Sequence, residues 1–480
     1  SDWQGLRPED YHLRRLVHLL GRTQPDPDVH PRIRTRRLAA LELLLTDAFF
    51  LLAEHLRYGR VNPESLYNAR VAEKVHWDLG DRLETAVGRS DLRGFFDACQ
   101  PSHPGYQALA RAARRYRRIA IQRRWPAIPE GPVLEHGDFD PRVEPLRVKL
   151  RATGDLEHPD ASDTRFFNTA VETALAAYQR RHALPPTGVL DDKTRDSLNE
   201  PIEARLRRLT LNIERWRWLP ESLGETYVWV NIPDFSLHLI HAARVRTSMR
   251  VVVGKQYRQT PEFSGRLRYL VLNPYWDIPP NILVSDKLYA LRRDPDFFRK
   301  RNIRVLEGWN QSAREVDPGT IDWRSVPIRE LYERYRLRQA PGKHNPLGRI
   351  KFMFPNPFAV YLHDTPQRNL FEKEVRDFSS GCIRLEAPLE LARHILALDA
   401  AGDDPWSRER LEERVETGER EVIKITLPVM VHILYFTAWV DAEGRVQFRQ
   451  DLYQRDDALA EAFRNAPLMP DPLSVPPIRD

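Results

Sequence analysis

Cys382, in Ser379-Ser380-Gly381-Cys382-Ile383-Arg384, and His363, in His363-Asp364-Thr365, are the two side chains of this 480-residue chain best suited to covalent chemistry. A thiolate, not a thiol, attacks carbonyl carbon, and a neighbouring imidazole takes the proton and lowers the thiol pKa. The glycine before the thiol fits the same chemistry. It permits a tight turn and close approach of a substrate, so that the Cys382 amide can help to hold an oxyanion. A buried cysteine acting as a small apolar residue is the commoner fate of a free thiol, and here the neighbouring residues argue against it. The chain has one other cysteine, Cys99, read as a buried helix residue. Pairing the two would consume the nucleophile, and two cysteines give neither a disulfide framework nor a zinc set.

Three runs around this pair go together: Asn345-Pro346-Leu347-Gly348-Arg349-Ile350-Lys351-Phe352, Tyr361-Leu362-His363-Asp364-Thr365-Pro366 and Phe378-Ser379-Ser380-Gly381-Cys382-Ile383-Arg384. They resemble the L,D-transpeptidase catalytic domain, and more narrowly the large periplasmic type that carries a helical scaffold and a peptidoglycan-binding module. Met249-Arg250-Val251-Val252-Val253-Gly254-Lys255 and Asn273-Pro274-Tyr275-Trp276-Asp277-Ile278-Pro279-Pro280 agree with it. The resemblance covers most of the chain from about residue 140 and is weaker before. Many shorter relatives have His where this chain has Ser380; the large type is similar to this chain in having Ser.

The resemblance implies acyl transfer between peptidoglycan stem peptides. Cys382 attacks the carbonyl after the third residue of a tetrapeptide donor, D-alanine leaves, and the amine of a diaminopimelate acceptor resolves the thioester into a 3→3 cross-link. His363 moves the protons. Asp364 orients the imidazole through its backbone carbonyl, and Ser379, Gly381 and the Cys382 amide are the oxyanion candidates. Tyr361 shares a strand face with His363 and, with Trp276 and Ser380, is a candidate for the substrate cleft; for Tyr361 and Trp276 plain core packing is the alternative. Arg384 either holds the site together or reads a substrate carboxylate. No cofactor and no metal is implied. Carbapenems, which offer a strained carbonyl to the thiolate, are expected covalent inhibitors, and proteins of cell-wall synthesis are further partners that fit. Two other readings stand beside transfer. One is an L,D-carboxypeptidase or wall-protein-releasing hydrolase using the same site with water as acceptor. The other is a non-catalytic peptidoglycan-binding scaffold.

The elements that must position these residues can be read along the chain. An α+β multidomain protein is expected. Residues 1–135 read as a helical scaffold domain in which Leu38 to Leu56 is apolar nearly all round, the mark of a buried helix. A Pro-rich linker follows. Residues 141–200 read as a small three-helix peptidoglycan-binding-like module, with Leu175, Tyr178 and Leu184 in its core, Gly188 in a turn and Asp191 as a helix cap. Residues 201–224 read as a connecting helix. Residues 225–455 read as the mostly-β catalytic domain, with a hairpin turning at Glu443-Gly444 and an inserted, helical and charged capping subdomain at about 280–342. Residues 456–480 read as a C-terminal tail.

Composition fits this plan without choosing among partners. The net charge of +6 suits any anionic polymer. The densest basic run, Arg111, Arg114, Arg115, Arg117, Arg118, Arg123 and Arg124, alternates with apolar residues at helical spacing and reads as a solvated helix face. No nucleic-acid motif accompanies it. No apolar run is long enough to span a membrane. The start at Ser1 reads as a mature or trimmed chain whose targeting segment has been removed, so the periplasm is the expected location.

Overall fold

A computed structural model describes residues 4–23, 30–67, 69, 76–122, 125–157, 164–294, 296–310, 312–400 and 406–465. Arg123, Arg124, residues 70–75 of the expected helical scaffold and residues 466–480 of the expected tail lie outside them. The chain divides into two units, Ser1–Glu221 with Tyr435–Asp480, and Ser222–Leu434.

The first unit is built, among the described residues, from nine α-helices before Glu221, a hairpin and one further helix after Tyr435. The helices are α1 (Leu13–Arg22), α2 (Pro31–Tyr58), α3 (Leu79–Gly88), α4 (Leu92–Cys99), α5 (Pro104–Ile121), α6 (Val143–Thr153), α7 (Thr169–Arg181), α8 (Asp192–Asn199) and α9 (Ile202–Arg217). Their starts follow from local chemistry. Asp78 and Asp91 accept N–H bonds at the first turns of α3 and α4, and Asp191 accepts from Thr194 to open α8, as its sequence leads one to expect. Val143, Leu146, Phe167, Val171, Leu175 and Tyr178 close a small core between α6 and α7. The arginines of α5 alternate as expected, with Tyr106, Leu109, Ala113 and Tyr116 buried between Arg111, Arg114 and Arg118 on the outer face.

Three expectations need correction. First, α2 is not buried all round: Leu38, Leu43 and Leu45 are exposed. Second, α9 is more than a connector. It buries Arg215 and Arg217: Arg215 donates to Asp456 at 2.5 Å and Arg217 to Glu214 at 2.8 Å. Third, the late hairpin, Ala438–Val440 with Val446–Phe448, and the helix Arg455–Asn465 belong with the helical unit, not with the unit that holds the large sheet. The reason is packing. Phe448 is buried against Tyr116 and His182, Asn212 donates to Thr437 Oγ1 at 2.8 Å, and Leu459 closes a core with Leu211 and Trp218. The part of the expected tail that is described is therefore helical.

The second unit carries fourteen of the strands: β1 (Thr226–Asn231), β2 (Ser236–His241), β3 (Arg244–Val252), β4 (Phe263–Arg266), β5 (Tyr269–Leu272), β6 (Trp276–Asp277), β7 (Ile303–Glu307), β8 (Arg314–Val316), β9 (Tyr335–Gln339), β10 (Ile350–Met353), β11 (Leu362–His363), β12 (Ile383–Leu385), β13 (Glu421–Lys424) and β14 (Val429–Leu434). Ten form one sheet in the order β13-β5-β10-β11-β12-β3-β2-β1-β14-β4. Only the β1/β14 and β11/β12 pairs are parallel. Leu267 and Arg268 alone join β4, at one end of this order, to β5, beside the other. Two residues cannot cross a flat ten-stranded sheet, where strands are ~4.8 Å apart, so the sheet curls until its ends meet, and Ile425 donates to Arg268 O at 2.9 Å at the join. The segment between Pro279 and Gly342 holds the expected short helices and also three strands that the sequence did not announce, β7, β8 and β9, which with β6 just before it form the sheet β6-β9-β7-β8. It has its own core, Phe297, Phe298, Val305, Trp323, Leu331 and Leu337.

Candidate active site

The parallel pair β11/β12 brings the two chemical residues together. Leu362 lies in register with Ile383, and His363 with Arg384; Ile383 N–H donates to Tyr361 O at 3.1 Å. In-register neighbours on paired strands point to the same face, and so do residues two apart. Tyr361, His363, Cys382 and Arg384 therefore share one face of the sheet. Lys351 joins them, being paired directly with His363 across β10/β11. All five line a cavity of about 320 Å3, whose far wall includes Trp276, Asp277, Pro279, Ile282 and Leu347.

His363 is buried, and its Nδ1 lies 2.5 Å from Asp364 O. A carbonyl oxygen only accepts, so Nδ1 carries the proton and Nε2 keeps its lone pair. Burial, aided by the charges of Arg384 and Lys351, pushes the His363 pKa down to about 3, and the ring is neutral at any ordinary pH. The Asp364 carboxylate does other work. It accepts from Arg349 N–H at 2.7 Å, Thr365 N–H at 2.7 Å and the Arg368 guanidinium at 2.6 Å. Gly348 lies against it with φ +61°, and a Cβ there would come within 2.3 Å of Asp364 Oδ2.

Cys382 is half-buried. Its Sγ is 3.9 Å from Ala359 O and within hydrogen-bonding reach of the Tyr361 hydroxyl. Burial pushes the thiol pKa up; Lys351 and Arg384 act in the opposite sense without overcoming it. This departs from the sequence expectation of a depressed thiol pKa. Because the imidazole is neutral, the resting pair is thiol and imidazole rather than thiolate and imidazolium.

The turn carrying the thiol is fixed from within and from behind. Ser379 Oγ donates to Cys382 O at 2.5 Å and accepts from Gly381 N–H at 3.1 Å. The Ser379 hydroxyl and the Gly381 amide are thus engaged inside the turn. Of the three oxyanion donors expected there, the Cys382 amide is the one outside this network. Gly381 sits at φ +111°, where a side chain is strained. Behind the turn, Thr260 Oγ1 accepts from Gly254 N–H and donates to Gly381 O, each at 2.9 Å. Ser380 Oγ accepts from Arg258, whose other arm donates to Ser285 Oγ in the inserted segment, at 2.8 and 2.6 Å.

Of the remaining sequence candidates, Trp276 is buried in the core of the inserted segment and also lines the cavity. The Tyr361 ring stacks edge-on with His363 at 5.6 Å and lies under Lys351 Nζ at 3.8 Å. Arg384 donates to Gln367 Oε1 at 2.5 Å. Lys351, Asp277, Arg258 and Thr260 escaped sequence reasoning, though Lys351 and Asp277 stood inside quoted motifs. Lys351 could have been found from the strand period once β10 was paired with β11. Asp277, held by Arg338 at 2.7 and 2.9 Å, is the acidic member of a cavity otherwise edged by cations.

Comparison with known proteins agrees with this organisation. Residues 225–423 match the family described as "L,D-transpeptidase catalytic domain", residues 1–112 a "Scaffold domain", and residues 140–198 a "Putative peptidoglycan binding domain". A curated relative from Haemophilus influenzae, named "Putative L,D-transpeptidase", is 33% identical over 250 residues, which are 52% of this chain and 48% of the relative. The chain thus spans about half the length of the curated relative it matches. Two solved L,D-transpeptidases, from Xylanimonas cellulosilytica and Stackebrandtia nassauensis, each share 12% identity and cover 64% of this chain and 99% and 96% of their own, with TM-scores of 0.18 and 0.23. At such scores these two likenesses decide nothing. Residues 225–423 are thus similar to the catalytic domain of the L,D-transpeptidase family, and residues 140–198, before them, to a peptidoglycan-binding domain.

Proposed function

We propose that this chain is a peptidoglycan L,D-transpeptidase of the periplasm that forms 3→3 cross-links through a thioester on Cys382. The single observation that carries the reading is the tautomer fixed on His363, with Nδ1–H held by Asp364 O on the sheet face it shares with Cys382. It leaves Nε2 as the base for the thiol proton. In the first half-reaction Sγ–H gives its proton to Nε2 and a bond forms from sulfur to the carbonyl carbon after the third stem residue. The C–N bond to D-alanine then breaks, and the imidazolium returns the proton to the leaving nitrogen. In the second half, a diaminopimelate amine attacks the thioester, the C–S bond breaks, and His363 carries the amine's proton back to sulfur. The Cys382 amide faces the developing oxyanion, and Lys351 and Arg384 add favourable charge. The wall formed by Trp276, Pro279, Ile282 and Leu347 restricts water at the thioester and so favours amine over water as acceptor.

The test is Cys382→Ala against wild type, with muropeptides and isolated tetrapeptide stems as substrates and carbapenem as acylating probe. Wild type should yield 3→3 dimers and gain one drug mass, and the variant neither. Tripeptide without dimers would make the chain a hydrolase. Dimers from the variant would sink the cysteine mechanism, and loss of both activities in both proteins would leave the wall-binding scaffold.

A further inference from the structure

Asp277 is the one carboxylate among the described residues that line the active-site cavity, and the chemistry proposed for Cys382 and His363 gives it no role. Strand pairing fixes its place. Asp277 on β6 lies in register with Arg338 on β9. The guanidinium donates through Nε at 2.7 Å and through Nη2 at 2.9 Å, one bond to each carboxylate oxygen. The pair is not symmetric about the cavity. Asp277 lines it and Arg338 does not, so the acidic end faces in. A carboxylate oxygen has two lone pairs, and the fork takes one on each, so a further donor can approach from the cavity.

The inward charge reaches the reacting groups. Burial lowers the pKa of Lys351, and a Cys382 anion and Asp277 act against that shift; burial raises the pKa of Tyr361, and Cys382 and Asp277 add to it. Lys351 is the cross-strand neighbour of His363, and the Tyr361 hydroxyl is within reach of Sγ. An acid so placed repels the developing oxyanion in both half-reactions, more strongly where the cavity lining replaces part of the solvent. Arg338 offsets part of that repulsion, and a cation arriving with the substrate would offset more. At the scissile bond the donor brings none, because its leaving group ends in a carboxylate. The acceptor does: a free aliphatic amine is an ammonium near neutral pH. Lys351 and Arg384, also on the cavity lining, would repel that ammonium, and Asp277 is the group there that attracts it.

We propose that the Asp277 carboxylate binds the ammonium of the acceptor stem peptide and holds it beside the Cys382 thioester. This rests on the transfer reading of the site and assigns it a determinant of acceptor choice. The protons balance. An ammonium loses two on becoming an amide. One passes to solvent before attack and frees the nitrogen lone pair. The other goes to His363 Nε2 as the N–C bond forms, and from there to sulfur as the C–S bond breaks. Asp277 exchanges no proton. Water carries no charge for it to hold, so losing Asp277 should move product from cross-linked dimer toward hydrolysed tripeptide.

The test follows the second half-reaction. Wild type and Asp277→Asn receive isotopically labelled tetrapeptide donor and unlabelled disaccharide tripeptide, whose one amine is that of diaminopimelate. Mixed dimer is divided by labelled tripeptide, a ratio independent of how fast the acyl-enzyme forms. Below acceptor saturation it should fall about 10- to 100-fold in Asp277→Asn, as loss of one hydrogen bond to a charged group implies, with acceptor KM raised more than kcat is lowered. Asp277→Glu keeps the charge and should recover most of the ratio. Arg338→Gln breaks the cross-strand pair, keeps the carboxylate and should lower the ratio by about three-fold at most. Calorimetric binding to Cys382→Ala needs no turnover. The disaccharide tripeptide should bind about ten-fold tighter than its N-acetylated form, and adding Asp277→Asn should erase the difference. An unchanged ratio, or equal binding of the amine and acetylated forms, overturns the proposal. A ratio lowered as far by Arg338→Gln as by Asp277→Asn overturns it too and makes the pair a tie between strands. Slower D-alanine release with an unchanged ratio would put the donor's amine on Asp277 instead. A wild type that forms no acyl-enzyme while the amine preference persists through Asp277 would sink the cysteine mechanism and leave this assignment standing.

Discussion

Thr260 holds the nucleophile turn from behind, and replacing it with valine isolates that contribution. Thr260 is 0% exposed. Its hydroxyl accepts from Gly254 N–H and donates to Gly381 O, tying the end of β3 to the residue before the thiol. Valine has nearly the same volume, so the cavity term is small. What is lost is two hydrogen bonds, worth ~1 kcal/mol each, with a buried N–H and a buried C=O left without their partner, at ~1–3 kcal/mol per group when no water reaches them. These terms overlap, and the net expectation is about 2–4 kcal/mol. For a unit the size of Ser222–Leu434 each kcal/mol moves the melting temperature by ~2–4 °C, so the catalytic unit should melt roughly 5–15 °C lower in calorimetry. Carbapenem acylation of Cys382 should slow as well, because Gly381 sits at φ +111° and relies on its surroundings to stay there. Thr260→Ser keeps the hydroxyl and loses one methyl group, about 1 kcal/mol, and should acylate like wild type. A Thr260→Val protein melting within about 2 °C of wild type and acylating at the same rate would refute this reasoning. A serine variant as damaged as valine would shift the role from the hydroxyl to the methyl.

Three further outcomes follow from the site. Gly348→Ala forces a Cβ to within 2.3 Å of Asp364 Oδ2 at φ +61°; it should cost about 1–3 kcal/mol from backbone strain alone, and slow acylation by moving the carbonyl that holds His363, both read in urea titrations and intact-mass time courses. His363 has a folded pKa of about 3 against 6.5 unfolded, so the unfolded chain takes up its proton first as pH falls. This stabilisation is complete above pH 6.5 and is lost progressively down to pH 3. Between pH 7 and 5 wild type should lose about 2 kcal/mol more than His363→Gln, and parallel losses in urea titrations would contradict the buried neutral ring. Iodoacetamide modification of Cys382 should keep accelerating as pH rises beyond the ordinary thiol range, because burial raises that pKa; a rate flat from pH 6 upward would reveal a thiolate–imidazolium pair instead.

The chemistry was legible because it is written in short, local patterns. The Cys382 and His363 runs, the glycine at 381 and the carbonyl of Asp364 all lie within a few residues of one another in their segments, and the cap at Asp191 is a one-turn signal. What escaped is non-local. Lys351 becomes a site residue only when β10 pairs with β11, and Thr260 only when the segment after β3 folds back on the nucleophile turn. The hairpin Ala438–Phe448 shows the same limit. Its turn was readable, but which body it joins is decided by Phe448 meeting Tyr116 and by Thr437 meeting Asn212, more than 200 residues away. In α2 the error was of another kind. A helix apolar all round is expected to be buried, and no rule on composition alone distinguishes burial by protein from exposure of Leu38, Leu43 and Leu45 to something else.

The resting site is neutral at its centre and cationic at its rim, and the two properties work together. Burial outweighs the field of Lys351 and Arg384 and keeps the Cys382 proton in place. The same burial holds His363 neutral and lowers the pKa of Lys351, whose charge a Cys382 anion would favour. An unoccupied thiolate would be open to oxidation; a thiol that keeps its proton is less so. In the proposed reaction negative charge appears only when a carbonyl is in place to receive the sulfur, and it appears between two cations already positioned by β10 and β12. Their attraction then counts for more than it would in bulk water, because the cavity lining replaces part of the solvent around it. Removing the Lys351 charge should therefore slow acylation while leaving the resting thiol pKa less affected than the rate. That separation distinguishes a group that stabilises the transition state from one that merely sets the ground state.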